Sequence, residues 1–598
     1  MRHVVTGLLL LVASPAFGGS PVELKLTPQG PLAAPPPPGV ARAPNGQGRL
    51  LNKPEVDIHA FLAGGPTAGH PLPTNPGVAP STGISLVNPG FAGFDGINLT
   101  DQTLAGTGIY ENTQGILEPP DQGLCAGNGF VLEAVNLALS VYDQSGNVLA
   151  GPVPLNQFFG LPPENGADGK FGDFLSDPRC IYDWSARRWY VTILQIDVDP
   201  DTGNFGQHAH TLIARSRTSD PTGAWDAFSL DATNDGSNGT PSHPGCPCIG
   251  DQPLLGFDEN AIFITTNEFP LFVNGFNGAQ VYAIGKGAFD GHGSVLLFDN
   301  LALEEGTAYS IQPASTPPHG SFDRGSRGTE YFTSSLEFTG GLDDRIAIWA
   351  LTGTGSLNGG KAKVTFGYTI LKSLVYGIPP PATQKNGPTP LRDLLNSIEG
   401  PGTEPLEMTD TNDDRMQQSV FTNGTIWSSI GTIVRPKGDS ADRAGIYWFR
   451  ADVDAAGASG KIKAKITRQG YLARVGTYLS YPAVAVNAHG HGAIAFSIGG
   501  DTFYPSTGYS VIDDDGVGSI HVAGAGTVPQ DGFTGYQFFG GEGVTRWGDY
   551  GAAVATEDGS IWIASEYTSN RPRFIYGNWG TFVSNVKVEP NSCDSHGH

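Results

Sequence analysis

Charged residues are scarce in this chain of 598 residues, and long hydrophobic runs are missing from it. Only 15% of the residues are charged, with 34 basic against 58 acidic side chains, so the formal net charge is −24. A surface with this excess of negative charge repels phosphate backbones, which argues against nucleic acid as a partner. No apolar stretch reaches the roughly 20 residues that a membrane-spanning helix needs, so no membrane span is predicted.

Cysteine is also rare, and several catalytic motifs are missing. The five cysteines include no Cys-x-x-Cys pair, so no zinc ribbon is predicted. The sequence has no Gly-x-Ser-x-Gly elbow and no convincing Cys–His pair, which argues against a serine or cysteine nucleophile. No glycine-rich phosphate loop is convincing either, so no organic cofactor is predicted. A disulfide among Cys180, Cys246 and Cys248 is predicted, with the pairing otherwise open, and Cys593 is the best candidate for an unpaired thiol.

The N-terminus has the pattern of a secretory signal. A short basic start precedes a brief apolar run, and small residues follow near Ala16 and Gly18. The mature protein is therefore predicted to be secreted, to an extracellular or periplasmic location. Composition divides the chain into a signal peptide at 1–18, a disordered Pro-, Gly- and Ala-rich leader at 19–82, a folded domain at 83–588 and a flexible tail at 589–598.

One segment recurs along the folded part of the chain. It starts with Asp, continues through an apolar strand, turns on Asp, Asn or Gly, and enters a second strand that carries an aromatic residue. A strand–turn–strand unit that repeats mostly every 65 to 90 residues or so predicts an all-β fold, a β-propeller with one repeat per blade. Seven starts predict seven blades, and six is the alternative because two copies are degraded. Clear copies begin at Asp177, Asp251 and Asp549, and weaker copies begin near Asp121, His319, Asp414 and Ser480.

Two further features support a closed ring with decorated loops. The segment Thr389–Gly400 has an N-terminal Thr, an early Pro and a terminal Gly, which predict a helix in a loop between blades. The last strands, around Phe574 to Val588, are predicted to pair with the first strands after Ile84. Such pairing closes the ring and leaves no open sheet edge there.

The turns and several short phrases resemble a known family. Thr556-Glu-Asp-Gly-Ser-Ile-Trp562 and Thr422-Asn-Gly-Thr-Ile-Trp427 resemble the Asp-box turn of sialidase-like propellers. Asp177-Pro-Arg179 and Arg546-Trp-Gly-Asp549 are similar to phrases in secreted bacterial propellers that mostly lack an assigned activity, and the resemblance covers roughly Pro119 to Tyr567. It implies a fold that serves glycoside hydrolases, polysaccharide lyases and binding proteins, and the fold alone does not choose among them. The Phe-Arg-Ile-Pro start and an assured arginine triad are missing.

The repeat-leading acids are the first candidate site. If each repeat starts an innermost strand, the acids form a ring at one end of the channel, where neighbouring carboxylates shift one another's pKa values. One general acid and one base or nucleophile are what glycoside cleavage requires. The alternative is that each Asp caps a loop by accepting bonds from backbone N–H groups. The candidates for catalysis are Asp177, Asp251, Asp414 and Asp549, with Asp121 in the weaker copy.

Glu268 and Glu566 form a second candidate set. Each lies seventeen residues after a leading Asp and just before an aromatic residue, and Glu337 resembles them in a degraded copy. A carboxylate beside an aromatic ring suits sugar binding, so both are predicted as catalytic residues, and Trp547 and Tyr567 as substrate-binding aromatics. The alternative is a carboxylate at the rim that faces solvent or pairs with an arginine.

Arginines accompany several leading acids and are the candidate clamp for an oxyanion. A guanidinium binds carboxylate or sulfate through two parallel bonds, which would indicate an acidic polysaccharide. The alternative is local ion pairing between neighbouring blades. The predicted substrate-binding arginines are Arg179, Arg415 and Arg546, with Arg324 as a further member.

One loop has the composition of a calcium site. Asp197, Asp199 and Asp201 supply three alternating carboxylates, as hard calcium ligation prefers, although His208 stands where an EF-hand has Glu. The loop predicts structural calcium, and the alternative is a solvated hairpin tip.

Together these features predict a secreted, carbohydrate-active propeller, a monomer that cleaves an extracellular polysaccharide through axial carboxylates in the manner of a glycoside hydrolase or lyase. The alternative is a non-catalytic propeller that binds glycan or protein. A third option is an exported structural protein without a ligand pocket. A deep pocket lined by leading Asp residues favours the enzyme, whereas a shallow mouth with its acids occupied favours the binder.

Overall fold

The computed structural model describes residues 20–38, 49–51, 58–62, 70–85, 87–303, 306–455 and 462–588. Within these ranges the ordered elements are mainly β-strands, so the chain is all-β, as predicted. No helix in the described ranges is long and apolar enough to cross a membrane. The predicted signal peptide and the tail with Cys593 lie outside the described residues.

Helices are short and lie in the connections. The helix predicted at Thr389–Gly400 is confirmed, but Asp531 caps it, accepting hydrogen bonds from the N–H groups of Leu391 (2.8 Å) and Arg392 (3.1 Å). The α-helices are α1 (His59–Leu62), α2 (Leu99–Thr103), α3 (Leu155–Phe159) and α4 (Pro390–Glu399). The 3₁₀ turns are Gly108–Tyr110, Lys286–Asp290, Gly325–Arg327, Thr354–Asn358 and Gln537–Phe539.

Consecutive strands form antiparallel sheets, mostly of four strands, and short parallel pairings between first strands join three of these sheets. The strands before the first complete sheet are β1 (Val22–Leu24), β2 (Thr27–Leu32), β3 (Leu50–Leu51), β4 (Gly77–Ala79), β5 (Ile84–Ser85), β6 (Phe91–Asn98) and β7 (Ile116–Leu117). Sheet 1 contains β8 (Gly123–Gly127), β9 (Phe130–Val135), β10 (Ala138–Asp143) and β11 (Val148–Pro154). Sheet 2 contains β12 (Phe174–Asp183), β13 (Arg188–Val198), β14 (Phe205–Ser216) and β15 (Trp225–Asp231). Sheet 3 contains β16 (Cys248–Phe257), β17 (Ala261–Pro270), β18 (Gly278–Gly285) and β19 (Val295–Phe298).

The remaining sheets follow the same plan, with two short additions. Sheet 4 contains β20 (Gln312–Ser315), β21 (Thr329–Ser335), β22 (Leu342–Thr352) and β23 (Thr365–Gly377), and β24 (Met408–Thr409) follows it. Sheet 5 contains β25 (Met416–Thr422), β26 (Thr425–Pro436), β27 (Arg443–Asp454) and β28 (Lys463–Leu472). Sheet 6 contains β29 (Tyr478–Val486), β30 (Gly492–Gly499), β31 (Ser506–Asp513), the short β32 (Gly516–Val517) and β33 (Ile520–Gly524). After β34 (Val544–Thr545), sheet 7 contains β35 (Ala552–Ala555), β36 (Ile561–Thr568) and β37 (Trp579–Val586), with β6 as its fourth strand.

The first strand of each sheet lies innermost. These strands contact one another in chain order: β8 contacts β12, then follow β16, β20, β25, β29 and β35, and β35 contacts β8 again. The sheets therefore radiate from one central channel, which is the arrangement of a β-propeller.

The two ends of the folded domain meet in sheet 7. Strand β6 pairs antiparallel with β37, with Phe94 opposite Val583 and Phe91 opposite Val586. The predicted pairing between the first and last strands is confirmed. This pairing covers the edge that the last sheet would otherwise expose.

Parts of the predicted leader are ordered against the sheets. Strand β1 pairs with β19, β2 with β15, β4 with β26 and β5 with β33. The prediction of a disordered leader is wrong for β1, β2 and β4, which lie within residues 19–82, whereas β5 belongs to the predicted folded domain. A segment poor in apolar residues cannot build a core, but an added edge strand needs mainly backbone hydrogen bonds, which the outer strand of a sheet supplies.

The core lies between neighbouring sheets, and a disulfide links two of them near the channel. Trp189 is fully buried between sheets 1 and 2, and Trp349 between sheets 3 and 4. The bridge Cys125–Cys180 joins β8 to β12, and Cys246–Cys248 closes a local loop before β16. The predicted bridge among Cys180, Cys246 and Cys248 is present as Cys246–Cys248, whereas Cys180 pairs with Cys125, which the sequence left unassigned.

Candidate functional site

Innermost strands contain, or closely follow, a residue in the left-handed conformation. In β12, β16 and β29 the same place carries a break in strand register, the mark of a β-bulge that re-aims a side chain. The leading position of the repeat therefore has a recurring backbone conformation. We call the region of the channel where these residues lie the hub. The residues and their φ values are Asp121 (50°), Asp177 (61°), Gln252 (49°), Tyr481 (55°) and Asp549 (28°).

The prediction for sheet 3 is displaced by one residue. Gln252, not Asp251, has the left-handed φ and precedes a proline, as Asp177 does in sheet 2. Gln252 therefore lies in the hub, and Asp251 lies beside it with another role.

Asp177 and Asp121 are connected inside the hub. The carboxylate of Asp177 accepts bonds from Ser176 Oγ (2.8 Å) and from the N–H of Gln252 (3.2 Å). Asn136 joins the two acids, since its Oδ1 accepts from the N–H of Asp177 and its Nδ2 donates to Asp121 Oδ2, both at 2.8 Å. The bond from the N–H of Gln252 agrees with the capping alternative for Asp177, whereas Asp121 accepts from the side-chain amide of Asn136.

Arg179 is buried at the centre of the hub. Its guanidinium carbon lies 3.4 Å from the centre of the Tyr550 ring, and Tyr550 donates a hydrogen bond to the carbonyl of Pro178 at 3.0 Å. Burial lowers the pKa of Arg179. Burial raises the pKa of Asp121 well above its usual range, and the charges of Asp549 and Asp177 raise it further. The hub is thus a crowded group of acids around one stacked cation.

Glu566 lies in the same region, away from solvent. Its Oε2 accepts a hydrogen bond from the N–H of Gly548 at 2.7 Å, and its Oε1 is buried without a hydrogen-bond partner among the described residues. Burial raises the pKa of Glu566 well above its usual range. A raised pKa favours the protonated, neutral form of this carboxyl.

A cavity of about 460 Å³ opens above the hub, at the end where the innermost strands begin. Four predicted site residues line it together: Asp251, Arg415, Arg546 and Asp549. Much of the remaining wall is apolar and includes aromatic rings from sheets 2 and 3, Phe174, Phe205 and Phe269, and the N-terminal residues Arg49, Leu50, Leu51 and Ile58. This combination of apolar walls and few charged groups is typical of a small-molecule or glycan site.

Ion pairs organise the charged side of the cavity. Arg546 binds Asp549 Oδ2 at 2.7 Å, while Asp549 Oδ1 is buried without a hydrogen-bond partner in the described part of the chain. Arg415 holds Asp413 through two bonds of 2.7 Å and donates to Gln252 Oε1 at 2.8 Å. The arginines are therefore positioned by acids before any ligand arrives.

Glu268 belongs to a separate network in sheet 3. It accepts hydrogen bonds from Asn234, from Gln280 Nε2 (2.7 Å) and from His243 Nδ1 (2.7 Å). His243 Nε2 lies 3.0 Å from Asp299 Oδ2, so the imidazole bridges two carboxylates. Glu268 does not line the cavity, because residues alternate in facing along β17 and the adjacent Phe269 occupies the cavity wall.

Replacing His243 with glutamine is expected to destabilise the protein at pH 6 but not at pH 10. Hydrogen bonds to Asp299 and Glu268 raise the pKa of His243 to about 9. A raised pKa stabilises the fold fully below the unfolded value near 6.5, and this contribution is lost as the pH rises through about 9. Because the partner Asp299 is partly exposed to solvent, screening limits the drop in melting temperature at pH 6 to about 2 °C. Melting curves of the variant at both pH values check this, with His210→Gln as the control; an equal loss at pH 10 contradicts it.

The other predicted residues lie outside the cavity wall. Asp414 is fully buried beside Tyr309, whose hydroxyl donates to its Oδ1 at 3.3 Å. Trp547 is buried and donates to Ser497 Oγ at 3.1 Å, and Tyr567 is hydrogen-bonded to Asp95. Arg324 pairs with Glu259 at the surface, which agrees with the ion-pair alternative.

The acidic loop of β13 and β14 is arranged as a capped turn. Asp199 Oδ1 accepts bonds from the N–H groups of Asp201 (3.0 Å) and Thr202 (2.8 Å), and these bonds lower the pKa of Asp199. Asp201 pairs with Lys170, and Asp197 accepts from Gln195 Nε2 at 3.2 Å. Calcium binding here stays a prediction.

Sequence reasoning missed several hub residues. Gln252 had a usable signal, since Gln252-Pro253 repeats the pattern of Asp177-Pro178. Asn136 and Tyr550 had none, because an Asn in a loop and a Tyr at a strand start are common.

No family model matches the chain, and no curated protein matches it. Among solved structures, the chain is similar to a Hadza microbial sialidase, with 10% identity, TM-score 0.31 and coverage of 79% of this chain and 74% of that one. It is also similar to an α-L-arabinofuranosidase from Podospora anserina (10% identity, TM-score 0.25, 58% and 92% covered) and to an endo-arabinase from Bacteroides thetaiotaomicron (9% identity, TM-score 0.25, 69% and 94% covered). Similarity at these identities and TM-scores does not indicate an activity.

Proposed function

We propose that this protein is an extracellular carbohydrate-active propeller of seven blades that cleaves a polysaccharide in the cavity at the channel mouth. The observation that carries the proposal is the convergence of Asp251 and Asp549 on one cavity with Arg415 and Arg546. Two carboxylates beside an apolar wall supply the acid and the base or nucleophile that glycoside cleavage needs.

Each group in the cavity receives a role. Asp549 is the base or nucleophile, since its partly exposed side chain lines the cavity and Arg546 fixes the carboxylate through Oδ2. Asp251, which lines the same cavity, is the general acid. The ring of Phe174 or Phe205 stacks on a sugar face, because both rings line the cavity.

The arginines define the substrate class. Arg415 and Arg546 bring two guanidinium groups to one cavity, and a guanidinium binds carboxylate or sulfate oxygens strongly. The substrate is therefore an acidic polysaccharide.

The second candidate is a non-catalytic glycan-binding or protein-binding propeller. It is favoured by the pairs Arg415–Asp413 and Arg546–Asp549, which already occupy part of the charge in the cavity.

Export and stability complete the proposal. Two disulfides suit an oxidising compartment, in agreement with a signal peptide at residues 1–18. The protein acts as a monomer, and the loop of Asp197, Asp199 and Asp201 binds structural calcium.

Purified protein is expected to release product from an acidic polysaccharide and little from neutral ones. A panel of plant, algal and bacterial polysaccharides, read out by new reducing ends and by unsaturated products, checks this. Arg415→Gln is expected to raise the KM for the acidic substrate, while Arg324→Gln at the exposed surface leaves the KM unchanged. Binding without any product on the whole panel would contradict the proposed enzymatic function and favour the non-catalytic binding propeller.

A further inference from the structure

A buried group of ligand-type side chains lies next to the cavity and has no part in the function proposed above. It combines His59 of α1, Glu337 just after β21 and Asp414 just before β25. Their ligand atoms all lie within 4.8 Å of one another, and all three residues are buried. Three segments distant in sequence thus place one imidazole and two carboxylates around a common point.

The two ring nitrogens of His59 face different partners. Nδ1 lies 3.1 Å from Glu337 Oε2. Nε2 lies 3.6 Å from Asp414 Oδ1 and 3.8 Å from Asp413 Oδ2, which is too long for a hydrogen bond. Two ligands of one tetrahedral zinc ion are about 3.4 Å apart, so this spacing suits atoms that share a cation.

Glu337 is placed to orient the imidazole ring of His59. Its Oε1 accepts from the N–H of Thr339 at 2.7 Å and its Oε2 from the N–H of Gly340 at 2.8 Å, so the carboxylate is fixed by its own loop. A carboxylate that receives one N–H of an imidazole directs the other nitrogen to a metal, which is the usual support of a ligating histidine.

Asp414 supplies a second, independent indication. Its side chain is fully buried, and its Oδ2 has no hydrogen-bond partner in the described part of the chain. A buried carboxylate oxygen without a partner is costly. Oδ1 is the oxygen nearer to His59 Nε2, so a cation ligated by His59 Nε2 and by both oxygens of the Asp414 carboxylate would satisfy Oδ2.

We propose that His59 Nε2 and Asp414 bind a divalent transition-metal ion, Zn²⁺ by its preference for mixed nitrogen and oxygen donors, with Asp413 beside it and Glu337 as the orienting partner. Because His59 belongs to α1 and Ile58 lines the cavity, the ion fastens the N-terminal segment to the wall of the candidate site. Calcium is disfavoured here, since it takes six to eight oxygen ligands.

The test uses the full chain after removal of metal with EDTA. Titration with Zn²⁺ in a calorimeter, with metal content measured by mass spectrometry, is expected to give one site per chain that His59→Ala abolishes. Glu337→Gln keeps both ligands and is expected to weaken Zn²⁺ binding by about 10–100-fold. This second variant remains informative if His59→Ala disturbs folding, which circular dichroism reports.

The matched control is His70→Ala. His70, Asp343 and Asp344 form another, more exposed group of ligand-type side chains, so this variant distinguishes the two groups. It is expected to leave the Zn²⁺ affinity unchanged. No Zn²⁺ bound by the wild-type chain, or a loss caused by His70→Ala but not by Glu337→Gln, overturns the proposal and leaves His59 as an imidazolium paired with carboxylates.

Discussion

Replacing Arg179 with methionine is expected to lower the free energy of unfolding by about 3–5 kcal/mol, because removal of a buried cation leaves its acidic neighbours uncompensated. Asp121 and Asp177 both interact with the Arg179 charge inside the hub. Methionine also loses the stacking of the guanidinium on Tyr550, whose ring lies 3.4 Å from it. Urea unfolding at pH 7 measures the loss.

The pH dependence separates this mechanism from a simple packing defect. Burial and neighbouring charges already raise the pKa of Asp121, and loss of the Arg179 charge, which interacts with Asp121, is expected to raise it further. A raised carboxyl pKa costs stability above the unfolded value, so the penalty is expected to be larger at pH 8 than at pH 4. Arg324→Met, which breaks a solvent-exposed pair with Glu259, is the control and leaves the unfolding curve nearly unchanged. An equal loss at both pH values would indicate packing alone.

The sequence predicted the architecture because it depends on local patterns. The strand–turn–strand repeat located the innermost strands, and alternation near the chain ends located the pairing of β6 with β37. The leader escaped prediction, because β1 and β2 are held by backbone bonds to sheet edges that composition does not report.

The candidate site was predictable only in part. The spacing of seventeen residues after a leading Asp correctly placed Glu268 and Glu566 on equivalent second strands, β17 and β36, and both residues are buried. It could not tell which carboxyl would face the cavity, since a one-residue change of phase along a strand reverses the face. The same uncertainty of one residue explains why the sequence indicated Asp251 for the leading position that Gln252 occupies. His59 had no signal at all, as its partners are hundreds of residues away in the chain.

Asp549→Asn is expected to reduce kcat by at least about 100-fold on the acidic polysaccharide found by the panel, because an amide can act neither as base nor as nucleophile. The substitution keeps the size of the side chain and an oxygen that can accept from Arg546, so the fold and the cavity remain. Asp251→Asn is expected to cause a similar loss if leaving-group protonation limits the rate. Initial rates at saturating substrate, with circular dichroism as the check on folding, measure both effects.

An exposed carboxylate, Asp220, provides the surface control for this experiment. Asp220 caps an exposed turn by accepting from the N–H of Thr222 at 2.9 Å, so Asp220→Asn tests carboxylate loss away from the cavity and is expected to keep full activity. Substrate binding by Asp549→Asn, followed by quenching of intrinsic fluorescence, is expected to persist, because the aromatic wall and Arg415 are untouched. Turnover that survives in Asp549→Asn removes this residue from the chemistry. Since Glu566 lies behind Asp549 in the hub with a raised pKa, it would then be the next carboxyl to substitute.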